Sequence, residues 1–256
     1  MQAQTPTDIH HGSLALNGSL YFRAEPLNNF MKDKQEELYY YIHLQGIENT
    51  TITKKRIPLN LSVVLDRSGS MAGDKLKHTK DAVKYLVNQL GNDDVLSIVL
   101  YESGVEVFLE PQRIEDKAAL LKRIDGIFTA GSTNLEGGIR KGYELNKMAK
   151  KLIGSEMISR VMLLSDGLAN VGIVDSKELS DITRDFFEKD KISISTFGVG
   201  TDYNEDLMAK IAMQGGGKYY FISSPDQLPA LFNEELQGIS NAVAKNTILK
   251  ITFPKD

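Results

Sequence analysis

From Pro58 to Val243 the chain alternates compact apolar runs with longer stretches in which apolar residues recur every three or four positions. The runs Leu59–Leu65, Val95–Tyr101, Met157–Ser165 and Ile192–Val199 have strand length, and their density of apolar residues suits strands covered on both faces. The first periodic stretch carries Leu76, Val83, Leu86, Val87 and Leu90, which is helical spacing. Further helices are predicted near Lys117–Ile124, from about Asn134, around Ser176–Lys189 and over Asn204–Met213. A last strand over Lys218–Ile222 and a closing helix over Gln227–Val243 complete the series. Strands alternating with helices imply an α/β fold, a doubly wound and mostly parallel sheet wrapped by right-handed crossovers. One connection departs from this rule. Ser103-Gly104, between Val95–Tyr101 and Val105–Leu109, is too short for a crossover, so it predicts a hairpin and one antiparallel edge strand.

The flanks read differently. Leu14, Leu16 and Leu20 alternate with small or polar residues, and Leu38–Leu44 is rich in tyrosine, both signs of β-structure. Pro26, Asn28, Asn29 and the charged run Asp33–Glu37 predict a solvated loop between them. Thr247–Phe253 reads as one more strand, expected to pair with the N-terminal strands. The expected organisation is a β-rich segment 1–57, a main domain 58–243 and a C-terminal strand within 244–256 that packs with the first segment. A chain of 256 residues is long enough for one large domain with such a small β-rich appendage.

Composition narrows the function. With 34 acidic and 30 basic residues the net charge is −4, which argues against a nucleic-acid partner. The absence of cysteine excludes disulfides, a thiolate nucleophile and any thiolate metal site. No stretch approaches the roughly 18–20 apolar residues of a membrane span, so no membrane insertion is expected. The start, Met1-Gln2-Ala3-Gln4-Thr5-Pro6, lacks the basic and apolar regions of a signal peptide, so a soluble chain, or the mature part of an exported one, is expected.

Three polar clusters fall at strand and helix ends. Asp66-Arg67-Ser68-Gly69-Ser70 follows the first core strand, Gly131-Ser132-Thr133-Asn134 precedes a helix, and Ser165-Asp166-Gly167 ends the Met157 strand. All three should open onto one edge of the sheet, where ligands of such folds bind. Hydroxyls and two carboxylates are hard oxygen donors. They suit Mg²⁺ or Mn²⁺ and not zinc, which favours nitrogen and sulfur. Two carboxylates against a divalent ion leave no surplus negative charge, and the chain has no Asp-x-Asp-x-Asp-Gly calcium loop. An ion held directly by hydroxyls, with the Asp side chains acting through water, keeps enough electrophilicity to accept a carboxylate from another molecule.

At these residues the chain resembles the von Willebrand factor A domain family. Asp66, Ser68 and Ser70 in Asp-x-Ser-x-Ser order, Thr133 in a later loop and Asp166 before a glycine are similar to that family's metal-ion-dependent adhesion site. The resemblance spans roughly Pro58 to Val243. It implies that Ser68 and Ser70 bind a metal directly, that Thr133 joins when ligand is bound, and that Asp66 and Asp166 act mainly through waters. The implied ion is Mg²⁺, with Mn²⁺ or Ca²⁺ as alternatives, and the implied partner is a protein presenting Asp or Glu. The loop wording looks closest to bacterial members, and the flanking β segments look like those around the A domain of inter-alpha-trypsin-inhibitor heavy chains. Placement outside the cytoplasm also follows from the resemblance. Oligomeric state is left open.

Enzyme readings fit poorly. An aspartyl phosphoryl-transfer enzyme would carry a second Asp where Ser68 stands. The histidines are His10, His11, His43 and His78, none after Asp166, and no Gly-x-Ser-x-Gly occurs, so an α/β-hydrolase order is unavailable. Gly198-Val199-Gly200 has Tyr203 where a dinucleotide fingerprint needs glycine, and Gly215-Gly216-Gly217-Lys218 lacks the leading glycine of a phosphate loop. A non-enzymatic module is therefore expected. The alternative is an accessory subunit of a larger complex, for example with an ATPase, in which the metal only organises loops.

Overall fold

The computed structural model describes residues 12–16, 20–26, 39–46, 57–153, 157–200 and 202–240. The chain divides into two compact units, Met1–Lys55 with Asn241–Asp256, and Arg56–Ser240. In the first, β1 (Gly12–Leu16), β2 (Leu20–Pro26) and β3 (Tyr40–Gly46) form an antiparallel sheet in that order. The triple tyrosine that opens β3 stays about half exposed, at 58% for Tyr39 and 46% each for Tyr40 and Tyr41, so it contributes little packing. The loop predicted over Asn28–Glu37, the terminal strand over Thr247–Phe253 and the His10-His11 pair lie outside the described residues.

The larger unit runs β4 (Leu59–Asp66), α1 (Asp74–Gln89), β5 (Val95–Tyr101), β6 (Val105–Arg113), α2 (Lys117–Asp125), α3 (Leu135–Ile153), β7 (Ile158–Ser165), α4 (Ser176–Asp190), β8 (Ser193–Val199), α5 (Glu205–Gln214), β9 (Tyr219–Ile222) and α6 (Leu228–Ser240). Its six strands are ordered β6-β5-β4-β7-β8-β9. Every pair is parallel except β5 with β6, which is the antiparallel edge expected from the short Ser103-Gly104 connection. This edge strand runs on to Arg113, past the predicted Leu109. Pro111 lies within it because an edge strand has one side with no ladder to interrupt, and the register shifts around Ile98 absorb the mismatch.

Alternation along β4 sorts the core. Leu59, Leu61, Val63 and Leu65 face a cluster with α1, α2 and α6, while Val64 faces Tyr101, Ile139, Tyr143 and Val161 on the side of α3, α4 and α5. In α1 the buried residues Leu76, Thr79, Ala82, Val83, Leu86 and Val87 keep the three-to-four spacing that places one stripe on the sheet. The closing helix seats Phe232 flat against Phe197 of β8, with ring centroids 4.7 Å apart. Its Glu235, almost fully buried, accepts hydrogen bonds from Ser195 at 2.7 Å and Tyr220 at 3.0 Å. No helix among the described residues is long and apolar enough to cross a membrane.

The chain builds outward from β4 to β5 and β6, then returns to β7 on the opposite side of β4. That reversal opens a crevice at the carboxyl ends of β4 and β7. Asp66 is the last residue of β4, and Asp166 follows the last residue of β7. The fold therefore sets two carboxylates side by side.

Candidate metal centre

Main-chain hydrogen bonds stitch the three polar loops together. Gly69 N–H donates to Gly131 O at 3.1 Å, and Ala130 N–H donates to Arg67 O at 2.8 Å. The Thr133 carbonyl accepts from the N–H groups of Asn170 and Val171, each at 3.1 Å, while Thr133 N–H donates to Asn170 Oδ1 at 2.7 Å. The expectation that the clusters open onto one edge is met, and backbone pairing is what holds them there.

Asp66 is fully buried and accepts from three donors. Its Oδ1 accepts from Ser68 N–H at 2.9 Å, and its Oδ2 accepts from Ser165 Oγ at 2.7 Å and Tyr101 Oη at 3.0 Å. Burial pushes its pKa above the ordinary aspartate value and the nearby Asp166 charge adds to this, while the bonds from Ser165 and Ser68 pull it back in part. Burial likewise raises the Tyr101 hydroxyl pKa, so that group stays protonated and donates. Ser68 Oγ lies 3.1 Å from Ser70 Oγ; Ser68 is buried and Ser70 exposed. Thr133 is buried.

Asp166 is also fully buried. Its Oδ1 accepts from Leu168 N–H at 3.2 Å, its Oδ2 from Lys75 Nζ at 3.1 Å, and its carbonyl from Asn204 N–H, the cap of α5, at 2.8 Å. Burial lowers the Lys75 pKa, but its bonds to Asp202 and Asp166 outweigh that and the net shift is upward. Arg67, which flanks the first loop, turns aside. It pairs with Glu106 at 3.2 Å and lies over the Phe128 ring at 5.8 Å.

Four residues here escaped the sequence reading as parts of the site: Tyr101, Lys75, Asn170 and Asp202. Ser165 was named within the third cluster but given no role. Tyr101 reaches Asp66 because the two are paired in register across β4 and β5. Its ring lies against Gly138, where a Cβ would come 2.6 Å from Tyr101 Cδ1, so the glycine lets α3 approach the sheet. Gly138→Ala is expected to lower stability by about 1–3 kcal/mol, because overpacking against a fully buried ring exceeds the helix preference of alanine. Urea unfolding that showed a more stable variant would refute this.

The donors fit a small hard cation. Two oxygens bound at right angles to an ion at about 2.0–2.1 Å stand about 2.9 Å apart, close to the 3.1 Å between the Ser68 and Ser70 hydroxyls. Buried Asp66 adjoins Ser68, and buried Asp166 lies near enough to Asp66 to help raise its pKa. Among the described residues no three His, Asp or Glu side chains gather as a metal cluster, so the donor set depends on hydroxyls.

Comparison with known proteins agrees with this architecture. An uncharacterized protein of Synechocystis is 30% identical over 196 residues, covering 76% of this chain and 45% of that protein. Human inter-alpha-trypsin inhibitor heavy chain H3 is 26% identical over 229 residues, covering 83% of this chain and 25% of that protein. The chain thus spans less than half the length of these relatives. Proximal thread matrix protein 1 from the mussel byssus, in a structure described as having a zinc-occupied MIDAS motif, superposes with a TM-score of 0.58 at 19% identity, covering 71% of this chain and 48% of that one. The von Willebrand factor type A domain profile matches residues 60–234, most of the chain, and the protein belongs to that family.

Proposed function

We propose that this chain is a metal-dependent, non-enzymatic protein-interaction module that captures an acidic side chain of a partner. Domains of this family often mediate protein interactions through metal-dependent sites. The observation that carries the reading is the pair of serine hydroxyls 3.1 Å apart, with Ser68 bonded to buried Asp66 and buried Asp166 on the neighbouring strand end, at the strand-order reversal of the sheet. In this reading Ser68 and Ser70 would hold Mg²⁺, Thr133 would join them when ligand is present, and Asp66 and Asp166 would act through waters. When bound, the ion supplies an electrophilic position open to a carboxylate. Tyr101 and Ser165 hold Asp66 in place, and the bonds among the three loops keep the donors pre-arranged. Placement outside the cytoplasm is part of the proposal, supported by the likeness to inter-alpha-trypsin inhibitor heavy chain H3.

Calorimetric titration with MgCl₂ tests the site. Asp166→Ala should weaken binding about 10–100-fold, or roughly 1.4–2.7 kcal/mol, with an unchanged far-ultraviolet circular dichroism spectrum. Equal affinity in the two proteins would defeat the assignment. The pH dependence has a fixed sign. Asp66 has a raised pKa in the metal-free fold, so magnesium must compete with its proton as pH falls through that raised value. Affinity should therefore start to drop above the ordinary aspartate range and stay flat at higher pH. Without metal the sign reverses: folding stability falls as pH rises from the unfolded aspartate pKa through the folded one, because the folded state binds more protons there.

A further inference from the structure

Lys75 is the cation that the site already contains. Its Nζ lies 3.1 Å from Asp166 Oδ2 and 2.7 Å from Asp202 Oδ1. The Lys75 side chain is only 14% exposed and Asp166 is fully buried, whereas Asp202 is 70% exposed. The stem is seated deliberately. Gly200 has φ +88°, and a Cβ there would collide with Lys75 Cε, so the loop after β8 uses glycine where the lysine passes. Nothing in the helical spacing of α1 calls for a lysine at this position, since the sheet-facing stripe of that helix begins at Leu76.

We propose that Lys75 is a tethered counter-ion that weakens metal binding until an acidic partner arrives, so that metal and partner carboxylate bind with positive coupling. The inference rests on the metal reading above and adds the charge of the group that completes the site. Without metal, the ammonium neutralises part of the repulsion between Asp66 and Asp166. With a divalent cation, the two buried carboxylates balance the ion by themselves and the ammonium stands as one uncompensated positive charge. Asp202 compensates it weakly, because solvent screens an exposed carboxylate. One carboxylate from outside restores neutrality in a site of low dielectric, where charge balance counts for most. The matching ligand is thus a single carboxylate, such as one Asp or Glu side chain.

The experiment is calorimetric titration of the full chain with MgCl₂, with and without sodium acetate as the carboxylate probe. Lys75→Met should bind magnesium about tenfold more tightly than wild type without acetate, and acetate should enhance its affinity less. Asp202→Asn, a change at an exposed position, should weaken magnesium binding by leaving Lys75 to Asp166 alone. Loss of a merely structural strap would weaken binding in Lys75→Met, so the sign separates the two roles. Unchanged or weaker binding by Lys75→Met, or unchanged or tighter binding by Asp202→Asn, overturns the role of Lys75 while leaving the metal reading intact. No magnesium binding by wild type or either variant overturns the metal reading, and the role of Lys75 with it.

Discussion

Magnesium at about one hundred times its dissociation constant is expected to stabilise the folded chain by about 2.7 kcal/mol, and Asp66→Ala, which should loosen binding about 10–100-fold, to cut that gain to about 0.4–1.4 kcal/mol. For a folded unit of this size the gain corresponds to a rise in midpoint of about 5–10 °C. Asp66 is the residue to remove because Ser68 N–H, Ser165 Oγ and Tyr101 Oη all converge on its carboxylate. The variant leaves those donors without their acceptor, which costs about 1–3 kcal/mol for each that finds no other, while relieving a buried charge that the fold tolerates poorly. The metal-free midpoint should therefore move modestly, and the magnesium increment should fall to about half its wild-type size or less. Scanning calorimetry with MgCl₂ and then with excess chelator reads both. An equal magnesium shift in wild type and variant would remove Asp66 from the site.

Phe232→Ala should produce the largest loss of stability among single substitutions considered for this chain, about 3–5 kcal/mol. The ring is fully buried, stacks on Phe197 at 4.7 Å and 7°, and lies 6.2 Å from Tyr85 of α1. Its removal leaves a void between the closing helix and the sheet that neighbouring rigid rings fill poorly. Urea unfolding should show a lower midpoint with an unchanged slope. Leu152→Ala, at a position 71% exposed, serves as the contrast and should stay within about 0.5 kcal/mol. A Phe232→Ala loss of similar size would mean that the helix is not anchored through this ring.

The site and its scaffold were unequally legible from sequence. Strand–helix alternation was readable because β4, β5, β7 and β8 are buried along nearly their whole length, which leaves dense apolar runs. The antiparallel edge was readable from the length of one turn. The far end of β6 was not, since Glu110, Gln112 and Arg113 around Pro111 lack the apolar density of a buried strand, which an edge position tolerates. That the loops carrying Asp66, Ser68, Ser70, Thr133 and Asp166 meet at one sheet edge was legible because turn residues at strand ends keep recognisable order and spacing. Tyr101 and Lys75 were hidden for a different reason. Their roles depend on pairing register and on how a helix stem crosses a loop, and a tyrosine ending a strand or a lysine opening a helix looks ordinary in one dimension.

The stitching of the loops has a consequence for how such a surface diversifies. Gly69 to Gly131, Ala130 to Arg67 and Asn170 to Thr133 are joined through peptide groups, which are the same whatever side chains these residues bear. Rim residues such as Arg67, Ser132, Leu168 and Ala169 can therefore be exchanged without unpinning the cradle beneath them. Under the proposed function, a lineage could change its partner by repainting the rim while the cradle stays untouched.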